Sequence, residues 1–169
     1  MKHILVVDDN KTNLAMAKHE LADDYQVTLV ISGAQALKFL EKKHPDLILL
    51  DINMPEMDGM ETMRLIRENE EWKSIPIIFL TADIDPQTES NCLELGAEDF
   101  IAKPFVPRIM RNRIDRILEL FELRGSLEKK TRLIEDAALR VITLIAGEIC
   151  TEDKLREQLA AELLMEEQQ

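Results

Sequence analysis

Five short apolar runs punctuate the first hundred residues: Ile4–Val7, Val27–Ile31, Leu47–Leu50, Ile77–Leu80 and Phe100–Ile101. The first four are rich in Ile, Leu and Val without polar alternation, which predicts strands covered on both faces. The stretches between them carry helical stripes, Leu14, Ala17 and Leu21, then Ala36, Leu37 and Leu40, then Met60, Met63 and Ile66. Ser32 and Gln35 have capping-box spacing before the second helix, and Pro45 lies just past its end. Asp85 and Pro86 suit an N-cap and first helical position, and Gly96 a left-handed terminator. Strand and helix alternating in this way predict a doubly wound α/β fold, a parallel sheet with helices on both faces.

Charge narrows the function. Asp and Glu number 33 against 21 Lys and Arg, a formal net charge of −12. Such a balance argues against nucleic-acid binding, which needs a basic surface for phosphates, and is compatible with a cation site. No apolar run approaches the roughly 20 residues that cross a bilayer, and the start, MKHILVVDDN, does not read as a signal peptide. Cys92 and Cys150 follow no metal-ligand spacing and read as small buried hydrophobes of a reducing compartment, so the chain is expected in the cytoplasm.

Beyond Pro107 no strand signal remains. Two heptad-spaced series follow, Leu120, Leu127, Ile134 and Val141, and Ile117, Arg124, Thr131, Ala138 and Ile145. This spacing predicts a coiled-coil seam and a homodimer, with Arg124 and Thr131 as weak points. Gly125-Ser126 predicts either a local break or a long helix held by a partner. Lys154 to Gln169 reads as one more amphipathic helix. The expected division is therefore residues 1–120 as one domain and 121–169 as a helical extension.

Ligands of a parallel sheet gather outside the carboxyl ends of its strands. Asp8 and Asp9 close the first strand, Asp51 the third and Thr81 the fourth, and Lys103 follows the fifth. Three acids, a hydroxyl and an ammonium thus converge from positions nearly a hundred residues apart. Three crowded carboxylates with no nearby His or thiolate select a hard divalent cation, Mg²⁺ first, with Mn²⁺ able to substitute. A cation beside Asp51 would neutralise an incoming phosphoryl group, Thr81 and Lys103 would donate to its oxygens, and an aspartate can be the covalent acceptor. The Lys103-Pro104 bond is a candidate cis peptide. His3, His19 and His44 are too dispersed to form a relay, so the phosphoryl donor must be another protein. Trp72 is read as cover for the sheet edge, and Met57, in the loop after Asp51, as cover for the site.

The blocks VVDDN, LLDINMPEMDG, LTAD and DFIAKPF, in that order, make the chain from Met1 to about Leu120 resemble the receiver domain of two-component response regulators. That resemblance implies a flavodoxin-like sheet of order 2-1-3-4-5 and phosphoryl acceptance on Asp51 from a sensor histidine kinase or phosphotransfer protein. It implies that Asp9 and Asp51 ligate Mg²⁺ directly, with Asp8 acting through water and Asn53 through its backbone carbonyl. It implies a switch in which Thr81 moves inward and Phe100 rotates, and dephosphorylation tuned by Asn53 and Asp83. The run from Glu122 to Ile149 is similar to linkers that join receivers to HD-type phosphodiesterase outputs. A non-enzymatic signalling module is the expected function. Its alternatives are a coiled-coil adaptor indifferent to phosphorylation, the regulatory front piece of a cyclic-dinucleotide phosphodiesterase, and an aspartyl phosphohydrolase. The last would need an acid where Asn53 stands.

Overall fold

The structure, a computed structural model, describes residues 1–82, 92 and 94–166, and beyond residue 146 only Lys154 is described at its side chain. Five strands, β1 (His3–Val7), β2 (Gln26–Val30), β3 (Leu47–Asp51), β4 (Ile77–Thr81) and β5 (Asp99–Ala102), form one parallel sheet in the order β2-β1-β3-β4-β5. Among the described residues the helices with defined bounds are α1 (Lys11–Leu21), α2 (Gly33–Leu40), α3 (Gly59–Glu68) and α4 (Pro107–Glu166). This is the doubly wound, flavodoxin-like arrangement. The second helix starts where its capping box predicts, with the Ser32 hydroxyl accepting from the Gln35 N–H at 3.3 Å.

Two cores flank the sheet. Leu14, Ala17 and Leu21 of α1 join Met110, Ile114 and Ile117 of α4 over Ile4, Val6, Leu49 and Leu80. Ala36 and Leu40 of α2 join Met63 and Ile66 of α3 over Leu5, Val7, Leu50 and Phe79 on the other face. The central strands β3 and β4 are buried along their whole length, and each fully buried Leu or Ile contributes about 1.5–3 kcal/mol. β2 departs from expectation. It lies at the sheet edge, and only Val30 of its five residues is buried. An edge strand has a neighbour on one side alone, so Gln26 and Thr28 are tolerated there.

Local ties hold the ends of these elements. The Arg67 guanidinium donates to the carbonyls of Lys73, Ile75 and Gly96, and pairs with Glu98 at 3.4 Å. That carboxylate also accepts the Ile77 N–H at 2.5 Å, so one arginine anchors the entrances to β4 and β5. On the other face, the Tyr25 hydroxyl donates to Asp115 and Arg111 Nε donates to the Glu20 carbonyl, fastening α4 to the end of α1.

The chain divides into two compact units, Met1–Glu122 and Leu123–Gln169. Neither a break at Gly125 nor a separate helix from Lys154 is found, because α4 runs unbroken from Pro107 to Glu166. One interior glycine costs about 1 kcal/mol relative to alanine, too little to stop a helix that meets no proline after its first residue. The second heptad series is also corrected at its start, since Ile117 is only 5% exposed and belongs to the core under α1. Within the second unit Leu123, Leu127, Ile134, Val141 and Leu144 are all more than half exposed. They recur at helical intervals and define an apolar stripe that includes Leu123 and Leu144, which the series above omit.

Candidate functional site

Strand order reverses direction between β1 and β3, and the crevice outside their carboxyl ends is the expected ligand site of such a sheet. The acidic residues meet there. One carboxylate oxygen from each of Asp8, Asp9 and Asp51 lies within 4.8 Å of the others. Asp8 is fully buried, Asp51 is 4% exposed, and Asp9 faces solvent.

Lys103 bridges two of them. Its ammonium lies 2.7 Å from Asp8 Oδ2 and 2.7 Å from Asp51 Oδ2, with 14% of its own side chain exposed. Asp51 Oδ1 accepts the Asn53 N–H at 3.3 Å. Burial pushes the Asp51 carboxyl above its ordinary value, and the charge on Asp8 adds to this, against the hydrogen bond and charge of Lys103. The Lys103-Pro104 peptide is cis.

Register places the remaining residues. Asp51 pairs with Leu80, which puts Thr81 one residue beyond it at the end of the neighbouring strand, 4% exposed. Lys103 N–H donates to the Thr81 carbonyl at 2.7 Å. Phe100 pairs with Phe79, and strand alternation puts Phe79 and Thr81 on one face, so Phe100 and Thr81 share it. The Phe100 ring is half-buried, with the Arg113 guanidinium 5.9 Å from its centroid. The Asn53 side chain is exposed. Asp83, like the Asp85-Pro86 helix start, lies outside the described residues.

The loop between Asp51 and α3 is shaped by constraints that the motif spacing hides. Asp58 caps α3, accepting the Glu61 N–H at 2.7 Å. Gly59 follows because a Cβ there would lie 2.2 Å from the Asp51 carbonyl oxygen. Glu56 holds a left-handed backbone with φ of 67°, a strained conformation for a residue other than glycine. Met57 packs toward the start of α2, where its Sδ would lie 2.9 Å from a Cβ on Gly33.

Sequence reasoning passed over Asn13, whose side-chain nitrogen donates to both oxygens of Asp8 at 3.1 Å. No local signal marks it, since Asn13 belongs to no apolar run and lies inside the first turn of α1, after the Asn10 cap. Three residues singled out in the sequence lie elsewhere in the fold. His3 bonds Thr28 at 2.9 Å within the sheet, Cys92 is buried with its sulfur 3.6 Å from that of Met60, and Trp72 packs half-buried against the second core.

The donor set fits a divalent cation. Three carboxylates on adjacent strand ends with one ammonium between two of them leave excess negative charge, and all the ligand atoms are oxygen. Among the described residues no helix is long and apolar enough to cross a membrane.

Known proteins resemble this chain in sequence and in fold. A "Probable cyclic di-GMP phosphodiesterase" of Vibrio cholerae is 36% identical over 137 residues, 81% of this chain and 31% of that protein. The alkaline phosphatase synthesis transcriptional regulatory protein PhoP of Bacillus subtilis is 37% identical over 72% of this chain and 50% of its own length. The chain thus spans half or less of these two relatives. The receiver domain of a Pseudomonas aeruginosa sensor histidine kinase, solved with a magnesium ion coordinated in its active-site cleft, is 37% identical. It superposes with a TM-score of 0.62 over 71% of this chain and 96% of its own. The response regulator receiver family model matches residues 4–115. With that span, that strand order and three acids meeting at the switch point, the chain belongs to the response regulator receiver domain family.

Proposed function

We propose that this receiver accepts a phosphoryl group on Asp51 from a histidine kinase or a phosphotransfer protein, with Mg²⁺ held by Asp9, Asp51 and the Asn53 carbonyl and with Asp8 reaching it through water. The observation that carries the reading is the bridged pair: Asp51 is the central, nearly buried acid, and Lys103 stands 2.7 Å from it ready to donate to new oxygens. The ion, for which Mn²⁺ can substitute, neutralises charge on the transferring group. An Asp51 oxygen forms the bond to phosphorus while the donor's nitrogen–phosphorus bond breaks. Lys103 and the Thr81 hydroxyl donate to the phosphoryl oxygens, and Asn53 and Asp83 set how readily water regains access.

The charge then drives the switch. The phosphoryl group adds about −1.5 to −2. Moving a two-state equilibrium from 1:99 to 99:1 needs about 5.5 kcal/mol, and charge-assisted hydrogen bonds contribute roughly 1.5–3 kcal/mol each. Two or three contacts from Thr81 and Lys103 suffice to draw Thr81 inward and free space for Phe100 on the same face. Incubation with acetyl phosphate and magnesium is expected to raise the intact mass by one phosphoryl group, and a chelator to prevent it. An unchanged mass in the presence of magnesium rules the reading out.

The helical extension is read as a dimerisation element of a cytoplasmic protein with no direct nucleic-acid role. A bare stripe of Leu123, Leu127, Ile134, Val141 and Leu144 suits a second copy of the same helix. Leu127→Glu removes about 1.5–3 kcal/mol of burial from each copy, which raises the dimer dissociation constant on the order of 10²–10⁴-fold. Sedimentation equilibrium is expected to show a wild-type dimer and a monomeric variant; a monomeric wild type at high concentration rejects the dimer.

One observation favours a second reading for the whole polypeptide. The 137 residues aligned with the Vibrio cholerae protein outnumber the 122 of the first unit, so the similarity extends into the helix. That supports a role as the regulatory front piece of a cyclic-dinucleotide phosphodiesterase.

A further inference from the structure

Asp8 is the one acid of the cluster with no exposure at all, and among the described residues its donors can be traced. Its Oδ1 accepts the Asn10 N–H at 2.9 Å and Asn13 Nδ2 at 3.1 Å. Its Oδ2 accepts Asn13 Nδ2 at 3.1 Å and the Lys103 ammonium at 2.7 Å. Two carboxylate oxygens offer about four acceptor positions, so all are occupied.

The donors differ in kind. Asn10 N–H is fixed by the backbone of the cap, but it holds only one oxygen and leaves the carboxylate free to turn about its own axis. Lys103 is a single charge on a flexible four-carbon arm, shared with Asp51. Only Asn13 spans both oxygens. Its side chain leaves the first turn of α1, half-buried, and the helix start is itself pinned by the Asn10 side chain accepting from the Thr12 N–H at 2.9 Å.

We infer that Asn13 is the positioning residue of the cation site, fixing the plane of the Asp8 carboxylate so that its lone pairs stay directed at the ion or its water when Lys103 lets go. The inference rests on the proposed receiver reading and assigns a role to a residue outside the family's motif blocks as identified above. The chemistry is that of an outer-shell partner, which orients a ligand without touching the metal, and loss of such a partner commonly costs 10- to 100-fold in metal affinity. Asn10 N–H and Lys103 remain in its absence, so Asp8 stays paired and the fold has no stranded charge.

The test is magnesium affinity, measured by calorimetry on the full chain for wild type, Asn13→Ala and the near-isosteric Asn13→Leu. Both variants are expected to bind magnesium about 10- to 100-fold more weakly. A second readout separates positioning from structure, namely the rise in melting temperature that saturating magnesium produces over the same protein in chelator. A merely structural asparagine would lower both melting temperatures equally and leave that rise intact, whereas a positioning one shrinks it. A folded variant that binds magnesium as tightly as wild type overturns the inference while leaving the receiver reading in place. A wild type that binds no magnesium removes the reading and the inference with it.

Discussion

Asp51→Asn is expected to take up no phosphoryl group from acetyl phosphate and magnesium, and to melt at a higher temperature than wild type in cation-free buffer. The first effect follows from removing the nucleophilic oxygen anion, because an amide cannot form the acyl phosphate. The second follows from electrostatics. Burial raises the folded-state pKa of Asp51 above its unfolded value, so the native state holds this proton more tightly than the unfolded chain does. Stability from this group is then present at low pH and falls as pH rises from the ordinary carboxylate range through the raised value. The variant lacks that fall. Intact mass and melting curves across pH check both effects together; a labelled variant would show that another residue accepts the group, and parallel melting profiles would show that Asp51 carries no strain.

Lys103→Met is expected to destabilise the cation-free fold by about 3–5 kcal/mol, the cost of removing one partner from a buried ion pair. Asp8 and Asp51 are its two partners, and both are almost wholly buried. Methionine keeps much of the stem but returns none of the charge. For a domain of this size that loss lowers the melting temperature by roughly 10 °C. Magnesium is expected to recover much of the deficit, since a divalent ion between the same acids neutralises what the ammonium did. Thermal denaturation in chelator and in magnesium decides the matter. Equal melting of variant and wild type in chelator would mean that the lysine contributes nothing to holding the acids together.

The two substitutions act on one balance. In the structure Lys103 stands as the counter-ion of Asp8 and Asp51, so a cation drawn to the same carboxylates would compete with the lysine for them. Thr81 shares a sheet face with Phe100 of β5.

Legibility differed sharply between parts of the molecule. The apolar runs located all five strands within a residue or two, because a strand buried on both faces excludes polar residues and therefore stands out. β2 was misjudged in burial, since being at an edge is a property of strand order that no local pattern carries. The acids were identifiable because each ends an apolar run, and in a parallel sheet all such ends fall on one rim. Asn13 was not, because it belongs to no run and acquires meaning only when α1 packs back over β1 and brings it to Asp8. Local reasoning left a break at Gly125 and a long helix both open, because a glycine's propensity cost is comparable to the signals around it, and the structure has the long helix.

Taken alone, the order of residues determined the class of fold, the acidic rim and the chemistry open to it, since alternation and composition are local and additive. Only the tertiary structure decided that Lys103 bridges two of the three acids, that Asn13 grips the buried one, and that Gly59 must lack a side chain beside the Asp51 carbonyl. Those facts depend on distances between residues far apart in the chain, and such distances exist only once the sheet has closed and its helices have packed.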